Sequence, residues 1–369
     1  MSMKHYAILG RDPLVFGDGR PISTEVSNRS VDVPWPTTLA GLVRTRAGLD
    51  SSGAFSITVP QALAIAVQGP WLLELDRETG APKEFYLPAP RDVVWFSPEK
   101  GGDRAPKARI PLVPMRPIDG EFTDLREDLD VLGFAEKAPA GKAASGPAFW
   151  SWPALKRWLT EPPKEEPLKP ESVGLNPAER EHRLHVGIDP EKHTAKDGVL
   201  FRTDGIRYRV KDEGEGLGRA LALGFRAGQE LEPGLCTLGG ERRLGHLLAL
   251  PGEPPFAKPP EIKLGARARV VLITPAAFAE GAVPERIAGA KVVAAAVPRP
   301  QVISGFSYET ARGGPKPTRR LAPAGSVYWV KLSDVTNKQK WLEEVWMHSV
   351  STNQQDQRDG LGLALVGVA

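Results

Sequence analysis

The stretch PWPTTLAGLVRTRAGL, residues 34–49, decides how the N-terminal half is read. Its prolines and the pair Thr37–Thr38 suit a helix start, because proline fits the first turn and threonine can cap it. Leu39, Leu42, Val43 and Ala47 then fall on one face, with Arg44 and Arg46 outside it. HYAILG (5–10) precedes this helix and alternates as a strand. ALAIAVQGPWLLEL (62–75) and EFYLPAPRDVVWF (84–96) follow as two further strands. Strand, helix, strand, strand opens a ferredoxin-like βαββαβ unit.

The second half repeats this logic. PGEPPFAKPP (251–260) holds five prolines in ten residues and marks a boundary. Beyond it, strands are expected at RARVVLIT (267–274), KVVAAAVP (291–298), QVISGFSY (301–308) and VYWVKL (327–332). A helix is expected near NKQKWLEEVWMHSV (337–350), and Leu361–Val368 forms a buried terminal strand. The expectation is therefore an α+β chain of two ferredoxin-like domains with long insertions, 1–255 and 256–369. An insertion of about 97–203 interrupts the first. It carries short helices at EFTDLREDLDVLGF (121–134) and WSWPALKRWL (150–159), then the charged linker TEPPKEEPLKPES (160–172). Residues 155–196 hold eight basic and eight acidic side chains, so no net field arises there. GIRYRVKDEGEGLGRALALGFRAG (205–228) is a hairpin, and LGGERRLGHLLAL (238–250) a glycine turn entering a strand.

Composition bounds the function. Across 369 residues, 41% are apolar and the net charge is only +3, which supports real cores and excludes a histone-like tail. The single Cys236 excludes an internal disulfide framework and suits a reducing cytoplasm. No run reaches the about 18 apolar residues of a membrane span, and MSMKHYAILG lacks a basic signal-peptide start.

Catalytic and cofactor patterns are weak. GEGLGRA (214–220) follows no clear parallel strand, and Lys142 in AAGKAAS lacks the hydroxyl that would hold magnesium, so neither a dinucleotide site nor a P-loop is expected. His182, His185, Asp189 and His193 are loosely spaced for zinc, and a surface or packing role outweighs a metal there. Cys236 reads as a small buried hydrophobe. His5 or His246 would have to serve as base in an RNA-cleaving enzyme, although a lone histidine near a terminus is more often structural.

Basic segments beside glycine are more informative. GGERRLG places Arg242 and Arg243 at a turn, and ARGGPKPTRRLAPAG (311–325) holds Arg312, Lys316, Arg319 and Arg320. Arg299–Arg320 carries five basic residues against Glu309 alone, a local +4. Such loops can follow a phosphate backbone, arginine supplying forked donors. The alternative is a solvated basic hairpin. In RDGLGLALVGVA (358–369), Gly360 and Gly362 are either turn chemistry or a loop built for close approach to a phosphate backbone.

Together, FGDGRP, PWPTTLAGLVRT, HVGIDPEKHTAKDGVLF, LGGERRLGHL, PKPTRRLAPAGSVYWV and GLGLALVG resemble a CRISPR family, from residue 16 to residue 367. It is the RAMP subunit of type III-B (Cmr) effector complexes, which holds the 5′ tag of the guide RNA (crRNA) and docks on the large polymerase-like subunit. The resemblance implies two RRM-like domains, a non-catalytic RNA-binding role in antiviral defence, no cofactor, and neighbouring RAMP subunits as further partners. Gly360, Gly362 and Arg44 carry over as RNA-contact positions. The roles of Arg242, Arg243, Lys316, Arg319 and Arg320 rest on charge. Lys196, in the protruding hairpin, stands for a contact with RNA or a neighbouring subunit. The segment 97–183 matches no quoted family pattern, and its partner surface stays open. A RAMP-type endoribonuclease processing precursor crRNA is the rival reading.

Overall fold

The computed structural model describes residues 3–17, 30–50, 52–76, 78–97, 108–116, 123–135, 141–164, 168–176, 179–210, 219–307 and 314–369. Along the chain come β1 (Lys4–Gly10), α1 (Pro36–Gly48), α2 (Val59–Ala64), β2 (Val67–Leu75) and β3 (Pro82–Pro88). Next are β4 (Val93–Ser97), β5 (Ala108–Met115), β6 (Val131–Phe134), β7 (Lys142–Ala144), β8 (Phe149–Ser151), α3 (Trp152–Thr160) and β9 (Gly174–Leu175). A long pair, β10 (Glu179–Ile188) and β11 (Ala195–Arg207), precedes β12 (Arg209–Val210), β13 (Arg219–Ala227), β14 (Gly234–Thr237) and β15 (Leu244–Ala249). The last third holds β16 (Arg267–Leu272), β17 (Arg286–Ile287), β18 (Ala290–Ala296), β19 (Gln301–Ser307), β20 (Gly314–Leu321) and β21 (Val327–Lys331). It ends with α4 (Lys338–Val345), α5 (Gln354–Arg358) and β22 (Ala364–Val368). The chain is mixed α/β and mostly strand, with antiparallel sheets. No helix among the described residues is long and apolar enough to cross a membrane.

The chain groups into two interleaved units rather than two consecutive halves. The first comprises 1–83, 177–252 and 302–320; the second comprises 84–176, 253–301 and 321–369. This grouping differs from the expected division at 255/256 in two places. Much of the insertion belongs with the C-terminal strands, and the hairpin β19–β20 belongs with the N-terminal ones.

In the first unit the strands run β14-β15-β1-β13-β2. Tyr6 pairs with Phe225 on one side of β1 and with Ala249 on the other. The third strand of the unit is thus β13, not the 84–96 segment expected from sequence. That segment is itself two strands, β3 and β4, separated by Ala89–Asp92, where Pro90 removes a ladder donor. Likewise 62–75 is not one strand. Thr58 and Gln61 form a capping box that starts α2, and β2 begins only at Val67. Helix α1 forms with proline in its first turn as expected and buries Leu39, Leu42 and Val43, but Trp35 is its N-cap and no threonine side chain caps it.

In the second unit the main sheet runs β17-β18-β21-β16-β22, all antiparallel. Helix α3 forms over the expected WSWPALKRWL and buries Leu155, Trp158 and Leu159. It packs on β22, where a Cβ at Gly367 would sit 3.0 Å from Leu159; the missing side chain lets the helix approach. Of the helix expected at 121–134, the described residues 123–134 form none, and their end makes β6 against β5. β19 leaves the main sheet and pairs with β20.

Candidate nucleic-acid interface

Seven of the nine positions singled out as RNA contacts lie in the first unit: Arg44, Lys196, Arg242, Arg243, Lys316, Arg319 and Arg320. They arise from four segments, and the structure gives them different tasks.

On β20, Lys316, Arg319 and Arg320 are exposed. Strand geometry places Lys316 and Arg320 on one face and Arg319 on the other. Adjacent arginines here cannot serve one phosphate track from a single face. Arg312 and most of GEGLGRA lie outside the described residues.

Arg44 is turned inward. Its guanidinium donates to the carbonyls of Ile65 at 3.2 Å and Leu63 at 3.4 Å, tying α1 to the end of α2. Arg46, one turn face away, donates to the carbonyls of Glu232 and Pro233.

The GGERR turn is strained. Gly239, Glu241 and Arg242 have φ of +79°, +59° and +52°, and a non-glycine residue in this region carries a cost of about 1–3 kcal/mol. Arg242 is exposed, whereas Arg243 is partly buried and paired with Glu241. Only Arg242 of this pair presents its charge to solvent.

Lys196 is exposed near the end of the arm formed by β10 and β11. Asp204 anchors that arm, accepting from Arg202 Nε at 2.8 Å and facing His182 Nδ1 at 2.6 Å. The Arg202 hydrogen bond leads in holding this carboxyl below its usual range. Sequence reasoning missed the arm's apolar strip. Leu184, Val186 and Ile188 recur every second residue, Leu200 faces Val186, and Leu184 is 73% exposed.

The histidines do not assemble. His185 stacks on Phe201 and meets Thr203, while His193 sits in the turn of the arm at φ +53°. Among the described residues no group of three or more His, Cys, Asp or Glu could hold a metal. His5 is buried beside Trp71, and burial followed by the Arg226 charge lowers its pKa to about 4. It is neutral at physiological pH and closed to solvent, so of the two candidate bases only His246 is exposed.

A folded value near 4 against 6.5 unfolded means that stability present above about pH 6.5 is lost as pH falls toward 4. The loss is about 3 kcal/mol between about pH 7 and pH 4. Denaturant unfolding at the two pH values checks this. His5→Phe should remove that part of the acid sensitivity, and an unchanged pH slope would contradict the assignment.

Gly360 and Gly362 belong to the second unit and are buried, with φ of +86° and +78°. Every backbone polar group from Gly360 to Leu363 is bonded within the chain. The four N–H groups donate to Gln357 O, Asp356 O, Pro275 O and Thr274 Oγ1. The four carbonyls accept from Thr274 Oγ1, Ser349 Oγ, Val350 N and the Ile273–Thr274 amides. The glycines are thus accounted for by the turn. The expected RNA backbone against Gly360 and Gly362 has no free donor there to receive it.

The first unit also contains a cavity of about 620 Å³ between α1 and the β14–β15 edge. Trp35, Leu42, Leu235 and Leu238 supply its apolar wall, and Gly239 and Gly240 of the strained turn close one side. Its lining comes from three segments far apart in sequence.

A family model described as CRISPR-associated protein (Cas_Cmr3) matches residues 6–369. No curated protein matches the chain. Among solved structures, a chain of "Cryo-EM structure of the Type III-B Cmr-beta bound to cognate target RNA" is similar at 13% identity and TM-score 0.46, covering 97% of this chain and 95% of that one. A chain of the same assembly "bound to cognate target RNA and AMPPnP, state 1" is similar at 13% identity and TM-score 0.46, covering 92% and 91%. The family match spans nearly the whole sequence, and the chain belongs to the CRISPR-associated Cas_Cmr3 family.

Proposed function

We propose that this chain is a non-catalytic, cytoplasmic RNA-binding subunit of a type III-B (Cmr) effector complex in antiviral defence. It holds the 5′ tag of crRNA and docks on the large polymerase-like subunit. Family membership supports the complex. The observation that carries RNA binding is the first unit, which gathers exposed cations from the arm, the GGERR turn and β20. The strand orders β15-β1-β13-β2 and β22-β16-β21-β18 support the ferredoxin-like reading, since each is the 4-1-3-2 order of a βαββαβ unit. The first keeps its first helix, α1, and the second keeps α4 and α5 where the other crossover belongs. The apolar strip of the arm suits a neighbouring RAMP subunit, because an isolated two-stranded ribbon gains little by exposing leucine to water.

The full chain should bind tag-bearing single-stranded RNA and leave it intact. Arg319→Ala with Arg320→Ala should weaken binding with little sequence dependence. Each lost phosphate contact should make the slope of log K against log salt shallower by about 0.7. Anisotropy titrations at several salt concentrations measure this, and a full parental slope would move the RNA track elsewhere. Specific cleavage abolished by His246→Ala would replace this reading with the endoribonuclease.

A further inference from the structure

We propose that the cavity between α1 and the β14–β15 edge takes an unstacked base of the bound RNA, while Arg242 on its rim turn meets the adjoining phosphate. This rests on the RNA-binding role proposed above and names the subsite. At about 620 Å³ the cavity is of small-ligand size. Its wall is apolar enough to hold a π-face, yet Thr38, Thr45 and Thr237 also line it. Those three hydroxyls make no side-chain hydrogen bond among the described residues, and a hydroxyl both donates and accepts. They can meet the polar edge of any base. Charge points the same way: among the described residues Arg46 lines the cavity and no carboxylate does. The rim turn holds Glu241 and Arg242 at positive φ and leaves Arg242 exposed. Backbone strain of this kind concentrates where a ligand is clamped. A buried apolar protein anchor would leave the hydroxyls unmatched, so a nucleotide fits better than a peptide side chain.

Cys236 also lines the cavity and is the single cysteine of the chain, which makes it a reporter. Its thiol is half-buried, and burial pushes its pKa up, so alkylation by a maleimide is followed at mildly alkaline pH. The full chain is labelled alone, with a short single-stranded RNA, with the fully abasic oligonucleotide of the same length, and with an apolar peptide. RNA affinity is measured in parallel for the parent and for Thr45→Trp, a change at an exposed helical position that fills the cavity without entering the core. Thr38→Val, which keeps shape and removes one hydroxyl, is the second variant.

RNA should slow labelling several-fold and the abasic strand should not. Thr45→Trp should weaken RNA binding by about 5- to 150-fold, the factor one held base is worth, with the salt slope unchanged. Thr38→Val should weaken it by less. If RNA binds but Cys236 labels equally with both oligonucleotides, and Thr45→Trp binds like the parent, the subsite is wrong and the RNA-binding role stands. Failure of RNA to bind at all overturns both. Protection by the apolar peptide in place of RNA overturns the base pocket in favour of a protein anchor.

Discussion

Replacing Asp92 with alanine should cost about 3–5 kcal/mol of stability, the loss typical of breaking a buried ion pair from one side. Asp92 and Arg269 pair deep inside the second unit, each side chain 1% exposed. Asp92 Oδ1 also accepts from Trp158 Nε1 at 3.0 Å. The guanidinium meanwhile donates to the carbonyls of Val368 and Trp158 and lies 5.3 Å from the Trp158 ring centroid. Removing the carboxylate strands a cation on β16, the strand between β21 and β22. Two charges lost together should hurt far less than one. Asp92→Leu with Arg269→Met should recover much of the loss, because apolar replacement also removes the desolvation cost of both ions. Denaturant titrations of the single and double variants measure the difference. A single variant within about 1 kcal/mol of the parent would show that water reaches the site, an outcome contrary to the burial seen.

Gly362→Val should be of similar severity, about 2–6 kcal/mol from left-handed backbone strain plus overpacking. A Cβ at this position would stand 2.4 Å from Ser351 Oγ and 2.8 Å from Ser351 N. The backbone cannot easily yield, since Gly362 donates to Pro275 O at 2.7 Å and accepts from Val350 N at 2.9 Å. Gly80→Val supplies the control. Gly80 has φ of +67° with open space around its Cβ direction, so strain acts there without a clash. Thermal melting should show Gly362→Val well below Gly80→Val, and equal melting would mean the loop can open. Any RNA-binding defect of Gly362→Val is therefore to be credited first to folding.

Local elements were legible in the sequence wherever one periodic face met one boundary signal. β1, α1, α3, β16, β18, β21 and β22 all fall where alternation or helical spacing placed them. What failed was pairing at a distance. β2 pairs with β13, from Leu221 opposite Glu74 onward, and nothing local in 84–96 announces that it will not fill that place. The charge signal failed differently. Composition cannot tell an arginine that faces solvent, such as Arg242, from a half-buried one paired with a neighbouring carboxylate, such as Arg243. Glycine was ambiguous for a related reason, because Gly362 frees space for Ser351 rather than for a ligand. The cavity was invisible because residues near 16, 42 and 237 meet only after β1, α1 and β14 have been assembled.

The interleaving of the two units governs how the chain must be made. Its six segments switch between units five times along the sequence, 1–83 to 84–176 being only the first switch. On the ribosome β2 emerges about 150 residues before β13, a wait of roughly 8–30 s at the usual speed of synthesis. During that interval the apolar VQGPWLLEL edge stands without its strand partner. The hairpin β19–β20 joins the first unit later still, so neither unit closes before translation is nearly finished. The C-terminal strands are for that reason a condition for the N-terminal unit's completion, and early termination leaves no finished module behind.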